Sequence, residues 1–216
     1  MRLVVSVLLV VLLFASCTSS SLDPEVIKEQ VFAADEEVFF YTYVAQENYT
    51  IPTGEFATQR VETFETELDR ERAFVYTEIR NADGLDKELL ANDQLYRPTN
   101  FGTWVESSSQ GTVSDYDAYQ IILDYIKEPS WQEISSVRLH GADVLRIDMR
   151  YHDDLFGRVG NQSVWIDPNS YHMLQYESEA QSVGGELISK TSLRATFSDF
   201  NDRSASKQEE LLRQLP

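Results

Sequence analysis

The stretch from Asn161 to Glu177 restricts this chain more than any other, because it sets an apolar run, a turn and a second alternating run end to end. Val164-Trp165-Ile166 is β-branched and aromatic, the composition of a strand. Asp167-Pro168-Asn169-Ser170 then turns the chain: Asp can accept from the backbone ahead, the Pro ring presets φ, and Asn tolerates the left-handed region. Tyr171, Met173 and Gln175 alternate with His172, Leu174 and Tyr176, so a second strand returns beside the first. Similar runs lie on both sides of this hairpin, which makes the chain one long antiparallel meander.

The runs come in a definite order. Asp23-Pro24-Glu25 opens a helix, with Asp as cap and Pro at the first helical position, and Ile27, Val31 and Ala34 give it one apolar stripe. Strands follow over Val38–Gln46, Phe56–Leu68, Ala73–Arg80, Glu88–Ala91, Leu95–Pro98 and Phe101–Glu106, with turns at 52–54, 81–84 and 92–93. Val38–Gln46 is apolar on both faces and needs cover on both sides. Ser107-Ser108-Ser109-Gln110-Gly111 reads as a flexible loop. Ser114-Asp115-Tyr116-Asp117 then opens a helix over about 114–127, whose Tyr119, Ile122, Leu123 and Ile126 share a face and which Pro129 closes. Strands resume at Ile134–His140 and Val144–Tyr151. The opening hairpin and a last strand, Glu186–Asp199, complete the sheet before a short helix begins near Ser204.

The first sixteen residues stand apart from this pattern. Arg2 precedes an apolar run, Leu3–Phe14, that is too short to span a bilayer and fits a signal-peptide core. It ends in Leu13-Phe14-Ala15-Ser16-Cys17, which resembles a bacterial lipobox with Phe14 where that pattern usually has Leu. Cys17 is the chain's single cysteine, so no intramolecular disulfide exists. The expected organisation is a lipoprotein signal peptide at 1–16, a lipidated Cys17 with a tether to residue 22, and one domain over 23–216. With 18 Lys and Arg against 36 Asp and Glu the net charge is −18, a field that opposes nucleic acid and anionic bilayer surfaces.

An N-terminal helix, about eleven strands and one amphipathic helix after the sixth strand form a distinctive order. Behind a lipobox, with the Trp165-Ile166-Asp167-Pro168 hairpin and the closing Ala195-Thr196-Phe197-Ser198-Asp199-Phe200 strand, it resembles the LolA/LolB-like lipoprotein-carrier superfamily. It is similar also to mycobacterial-type glycolipid-binding lipoproteins. The resemblance covers roughly residues 24–200 and implies an α+β fold: a curved antiparallel sheet, an unclosed half-barrel, wrapped around one or two helices and enclosing an apolar cavity for acyl chains. The residues allow this independently, because strands of thirteen or fourteen residues twist and curl, and a curled apolar face needs a helix or a ligand to fill it.

Candidate ligand contacts on that reading are Phe40, Phe64, Tyr76, Trp104 and Leu123, together with Ile126, Ile147, Met149, Met173 and Phe197; each also fits a plain packed core. The Ser114–Lys127 helix is expected to lie across the open, concave side of the sheet as a movable cover. No catalytic group is expected. His140, His152 and His172 form no closely spaced pair for a metal, the Asn81–Asp86 segment lacks the closing Glu of a calcium loop, and no nucleophile elbow or phosphate loop occurs. No cofactor is implied. The expected function is a membrane-anchored envelope lipoprotein that binds lipid or acylated protein, held at the outer face of the cytoplasmic membrane or at the outer membrane. The competing reading is an envelope sensor or interaction module with a protein partner and no lipid transport.

Overall fold

A computed structural model describes residues 23–53, 56–127, 133–153, 158–182 and 190–216. The expected signal peptide, Cys17 and its tether, Pro129 and the Gly184–Leu187 stretch lie outside them. Helix α1, Pro24–Asp35, starts as its sequence requires, with the Asp23 carboxylate accepting from Glu25 N–H at 3.1 Å. Six strands follow as a meander: β1 Phe40–Thr53, β2 Phe56–Asp69, β3 Phe74–Asn81, β4 Gly84–Ala91, β5 Gln94–Pro98 and β6 Trp104–Gln110. Two helical pieces, α2 Val113–Tyr116 and α3 Ala118–Lys127, lead to a second meander: β7 Glu133–Leu139, β8 Ala142–Asp153, β9 Arg158–Ile166, β10 Met173–Ser182 and β11 Lys190–Ser198. Helix α4, Gln208–Leu212, ends the chain's regular structure.

All eleven strands form one antiparallel sheet in the order β6-β5-β4-β3-β2-β1-β11-β10-β9-β8-β7. The meanders join where β11 lies against β1, with Ala45 opposite Ala195 and Tyr43 opposite Phe197. Strands β6 and β7 are the two edges, so the half-barrel is not closed. Tight turns hold the hairpins. The β4–β5 turn takes Asn92 and Asp93 to φ of 53° and 62°, a conformation these residues adopt more readily than others. Asn81 accepts from the N–H groups of Asp83 and Gly84, closing the β3–β4 turn rather than holding an ion.

Strand alternation divides the side chains between two faces. On the inner face Tyr41, Leu68, Val75, Leu90, Ile147, Val164 and Phe197 pack with Ile27 and Val31 of α1 and with Tyr119, Ile122, Leu123 and Ile126 of α3 in one buried core. On the outer face Phe74, Tyr76, Leu89 and Trp104 form a second, smaller core beneath Leu211 of α4. The double cover expected for the first strand is therefore real: Tyr41 faces the helices, and Phe40, at 1% exposure, faces the other way. The C-terminal tail is pinned to this outer face by Arg203, which grips the fully buried Asp69 at 2.6 Å and Glu71 at 2.7 Å.

Beyond shifts in strand ends, such as β1 running to Thr53 and β4 starting at Gly84, three elements differ from the sequence expectation. Ser107–Gln110 is strand rather than loop: β6 pairs with β5 at Glu106 and again at Gln110, with the serines in a register irregularity between. The single 114–127 helix is two helices, broken at Asp117 with ψ of 78°. The capping partners shift with it: Thr112 and Asp115, not Ser114 and Asp117, make the first box, with Thr112 N–H donating to the Asp115 carboxylate at 2.7 Å. The turn between β7 and β8 consists of His140 and Gly141, at φ of 51° and 90°, and Ala142 and Asp143 already belong to β8.

Candidate functional site

Small side chains make a hollow in the inner face. Ala45 of β1 lies opposite Ala195 of β11, which lies opposite Tyr176 of β10, and Ala180 and Ser178 continue the row along β10. A methyl or hydroxymethyl at these positions leaves the space a larger side chain would fill. Tyr43, Phe64, Tyr176 and Leu193 wall the hollow, and Ala118, Ile121, Ile122 and Tyr125 of α3 roof it. The enclosed volume is about 370 Å³, within the size range of small-molecule sites. Ile121 and Tyr125 remain 38% and 54% exposed, which places the opening along this edge of the helix.

The roof is anchored at one end. Asp117 sits between α2 and α3 and accepts from Gln120 N–H at 2.9 Å, so its side chain caps α3. The same carboxylate accepts from Tyr41 Oη at 2.9 Å and from Arg70 Nε at 2.7 Å. Arg70 also reaches Asp35 Oδ1 at 2.9 Å and the Val38 carbonyl at 2.8 Å, tying α1 into the group. Burial alone would lower the Arg70 pKa, but the Asp117 and Asp35 carboxylates outweigh it and hold the guanidinium charged. Burial and then the Asp117 charge push the Tyr41 hydroxyl well above its ordinary range, so it stays a donor. Tyr119 extends the anchor, its hydroxyl accepting from Met173 N–H at 2.8 Å. These are the bonds of a fixed joint. Among the described residues no group of three or more His, Cys, Asp or Glu side chains could hold a metal ion.

Of the ten candidate contacts, Phe64 lines the cavity. Leu123, Ile126, Ile147, Met149, Met173 and Phe197 lie in the inner core at 3% exposure or less, packed against neighbours rather than facing the hollow. Tyr76 and Trp104 are on the outer face under α4, where their rings meet edge to face with centroids 6.4 Å apart. Phe40 also points outward, since it and Phe74 both register with Asp69. Tyr43, Ala45, Tyr176, Leu193 and Ala195 also wall the cavity, and the signal for it is the alignment of small Ala45 with Ala195 on neighbouring strands, visible only once the register is known.

Polar groups concentrate toward one end of the cavity. Glu47, Gln162, Ser178 and Thr191 line it, and among the described residues no Lys, Arg or His does. Gln162 is 5% exposed, and its Oε1 is buried with no hydrogen-bond partner.

No family model matches the chain, and no curated protein does. Solved structures of similar shape do. One is a domain described as an outer membrane lipoprotein-sorting protein from Vibrio parahaemolyticus, at 12% identity and TM-score 0.31, covering 87% of this chain and 95% of that one. Another is a LolA superfamily protein from Nitrosomonas europaea, at 11% identity and TM-score 0.30, covering 83% and 93%. A third is MucB, solved in complex with MucA(peri), at 11% identity and TM-score 0.34, covering 82% of this chain and 56% of that one.

Proposed function

We propose that this protein is an envelope carrier that binds one acyl chain of a lipid or acylated protein, reversibly, in the cavity between α3 and the inner face of the sheet. The observation behind this reading is the cavity itself: about 370 Å³, walled by Tyr43, Phe64, Tyr176 and Leu193, and open beside two exposed apolar residues of its roof. Burying a sixteen-carbon chain is worth roughly 13 kcal/mol gross at ~0.8 per methylene. Most of that is offset, because the chain leaves a membrane where it is already in hydrocarbon, so net affinity is modest and release is easy.

Trp104 and Trp165 are unsuitable reporters, since Trp104 lies in the outer core and Trp165 stacks beneath Arg146, whose Cζ is 5.2 Å from its ring, while its neighbours Val164 and Ile166 point inward. A Tyr125→Trp variant puts the reporter at the opening. A brominated monoacylglycerol should quench it, and Ala195→Phe, which fills the hollow, should abolish the quenching. Absence of quenching, with no lipid in organic extracts of the native protein, overturns the carrier reading. The alternative, an interaction module on the same fold, draws support from Phe101, which is 95% exposed at the tip of the β5–β6 turn. On that reading Phe101→Ala would abolish partner capture, and Ala195→Phe would not.

A further inference from the structure

We propose that the cavity selects amphiphiles whose head donates hydrogen bonds and bears no negative charge, an acyl chain ending in a hydroxyl or an amide N–H rather than in a free carboxylate. This rests on the acyl-chain reading above and specifies the head that accompanies the chain.

Two independent features carry it. The first is Gln162 on β9, which lines the cavity at 5% exposure with its Oε1 unpartnered. A buried acceptor left without a donor is costly, and nearly all such groups in folded proteins are satisfied. Oε1 is sealed from solvent as it stands, and the broad terminal torsion of Gln lets it rotate to meet a ligand in the hollow. The nearest inner-face neighbours are Met149 and Ser178, which stand opposite Gln162 in the sheet register, and neither donates to this oxygen. A ligand hydroxyl or amide N–H would supply the missing donor; a carboxylate would add a further acceptor.

The second feature is the charge at the same end. Glu47 of β1 stands directly opposite Glu62 of β2, both on the inner face, an arrangement that strands ordinarily avoid. Arg60 binds Glu62 at 2.6 Å, which leaves one guanidinium for two carboxylates. Glu47 receives the neutral Tyr49 hydroxyl, whose pKa is raised by burial and then by this carboxylate. With no Lys, Arg or His among the described lining residues, an anionic head would meet unmatched negative charge. A donor head meets acceptors: Gln162 Oε1, the Glu47 carboxylate, and the hydroxyls of Ser178 and Thr191.

The test is calorimetric titration of the wild-type protein at pH 8 with three probes of equal chain length: monopalmitoylglycerol, N-palmitoylethanolamine and palmitate. The first two should bind at least tenfold more tightly than palmitate, and the tighter of them tells whether hydroxyl or amide is preferred. Gln162→Met keeps the volume and removes the acceptor. It should weaken both neutral probes about three- to tenfold, the worth of one hydrogen bond, and leave palmitate unchanged. Glu47→Gln should narrow the gap by improving palmitate. Palmitate binding as tightly as the neutral probes, or a selectivity untouched by both substitutions, overturns the head-group inference. If Ala195→Phe still abolishes binding in that case, the acyl-chain reading stands alone. Failure of all three probes to bind the wild type removes both.

Discussion

Asp117 accepts hydrogen bonds from Tyr41, Arg70 and the N-terminus of α3, so one carboxylate links β1, the β2–β3 turn and the cavity roof. Asp117→Ala removes the cap and leaves Arg70 with Asp35 and the Val38 carbonyl. The expected loss is about 3 kcal/mol, the low end for breaking a buried ion pair, measured by urea unfolding; a loss below about 0.5 kcal/mol would mean that water replaces the carboxylate without cost. Asp117→Asn, which keeps the cap, should fall between. His172 gives the molecule a pH response. Its ring lies 4.5 Å from that of Phe200, and burial lowers its pKa below 6.5. A lowered folded-state pKa means that the unfolded chain binds the proton more readily, so this stabilisation is complete above pH 6.5 and is lost as pH falls toward the folded value. Thermal melts between pH 7 and 5 should show a decline that His172→Phe reduces; an unchanged decline assigns it to the carboxylates.

At the scale of elements, α3 has two working faces. Leu123 and Ile126 are wholly buried in the inner core, so Leu123→Asp should unfold the protein and is no test of a cover. Ile121 and Tyr125 border the cavity while remaining accessible. Replacing both with Ala should leave the melting temperature within about 2 °C, as surface changes do, yet weaken acyl-chain binding at least fivefold by titration. Equal binding would place the opening elsewhere. The strands were readable because alternation at Leu145, Ile147 and Met149, or at Leu193, Ala195 and Phe197, records burial on one face directly. The cavity was not, because selecting large apolar residues finds what is packed, and a hollow forms where residues are small. Nor could composition reveal β6, whose serines lie in an irregularity between the Glu106 and Gln110 pairs with β5. Phe40, Tyr76 and Trp104 were misplaced for a related reason: with both faces apolar, the sequence does not say which side the last helix covers.

For the whole molecule, a net charge of −18 opposes contact with anionic bilayers, so charge does not hold the domain on such a membrane. We propose that Cys17, at the end of the lipobox-like stretch, supplies the hold instead, as a lipid anchor. Cys17→Ala should move the protein from the membrane to the soluble envelope fraction; retention on membranes after a salt wash would refute the lipid anchor. The position of the β1–β11 contact has a consequence of its own. Each meander can form from hairpins between near neighbours, whereas β1 meets β11 across 156 residues of sequence at Thr42 and Ser198. Closing that seam carries the largest loop entropy in the sheet, and we expect it to form after the hairpins. Tyr43, Ala45 and Glu47 on one side and Thr191, Leu193 and Ala195 on the other make it the floor of the cavity. A bound chain would lie across the seam and act as a removable staple, and loading should slow amide hydrogen exchange in β1 and β11 more than in β3 and β4. Cargo would then hold its carrier's two halves together, and the empty protein would be the one that breathes.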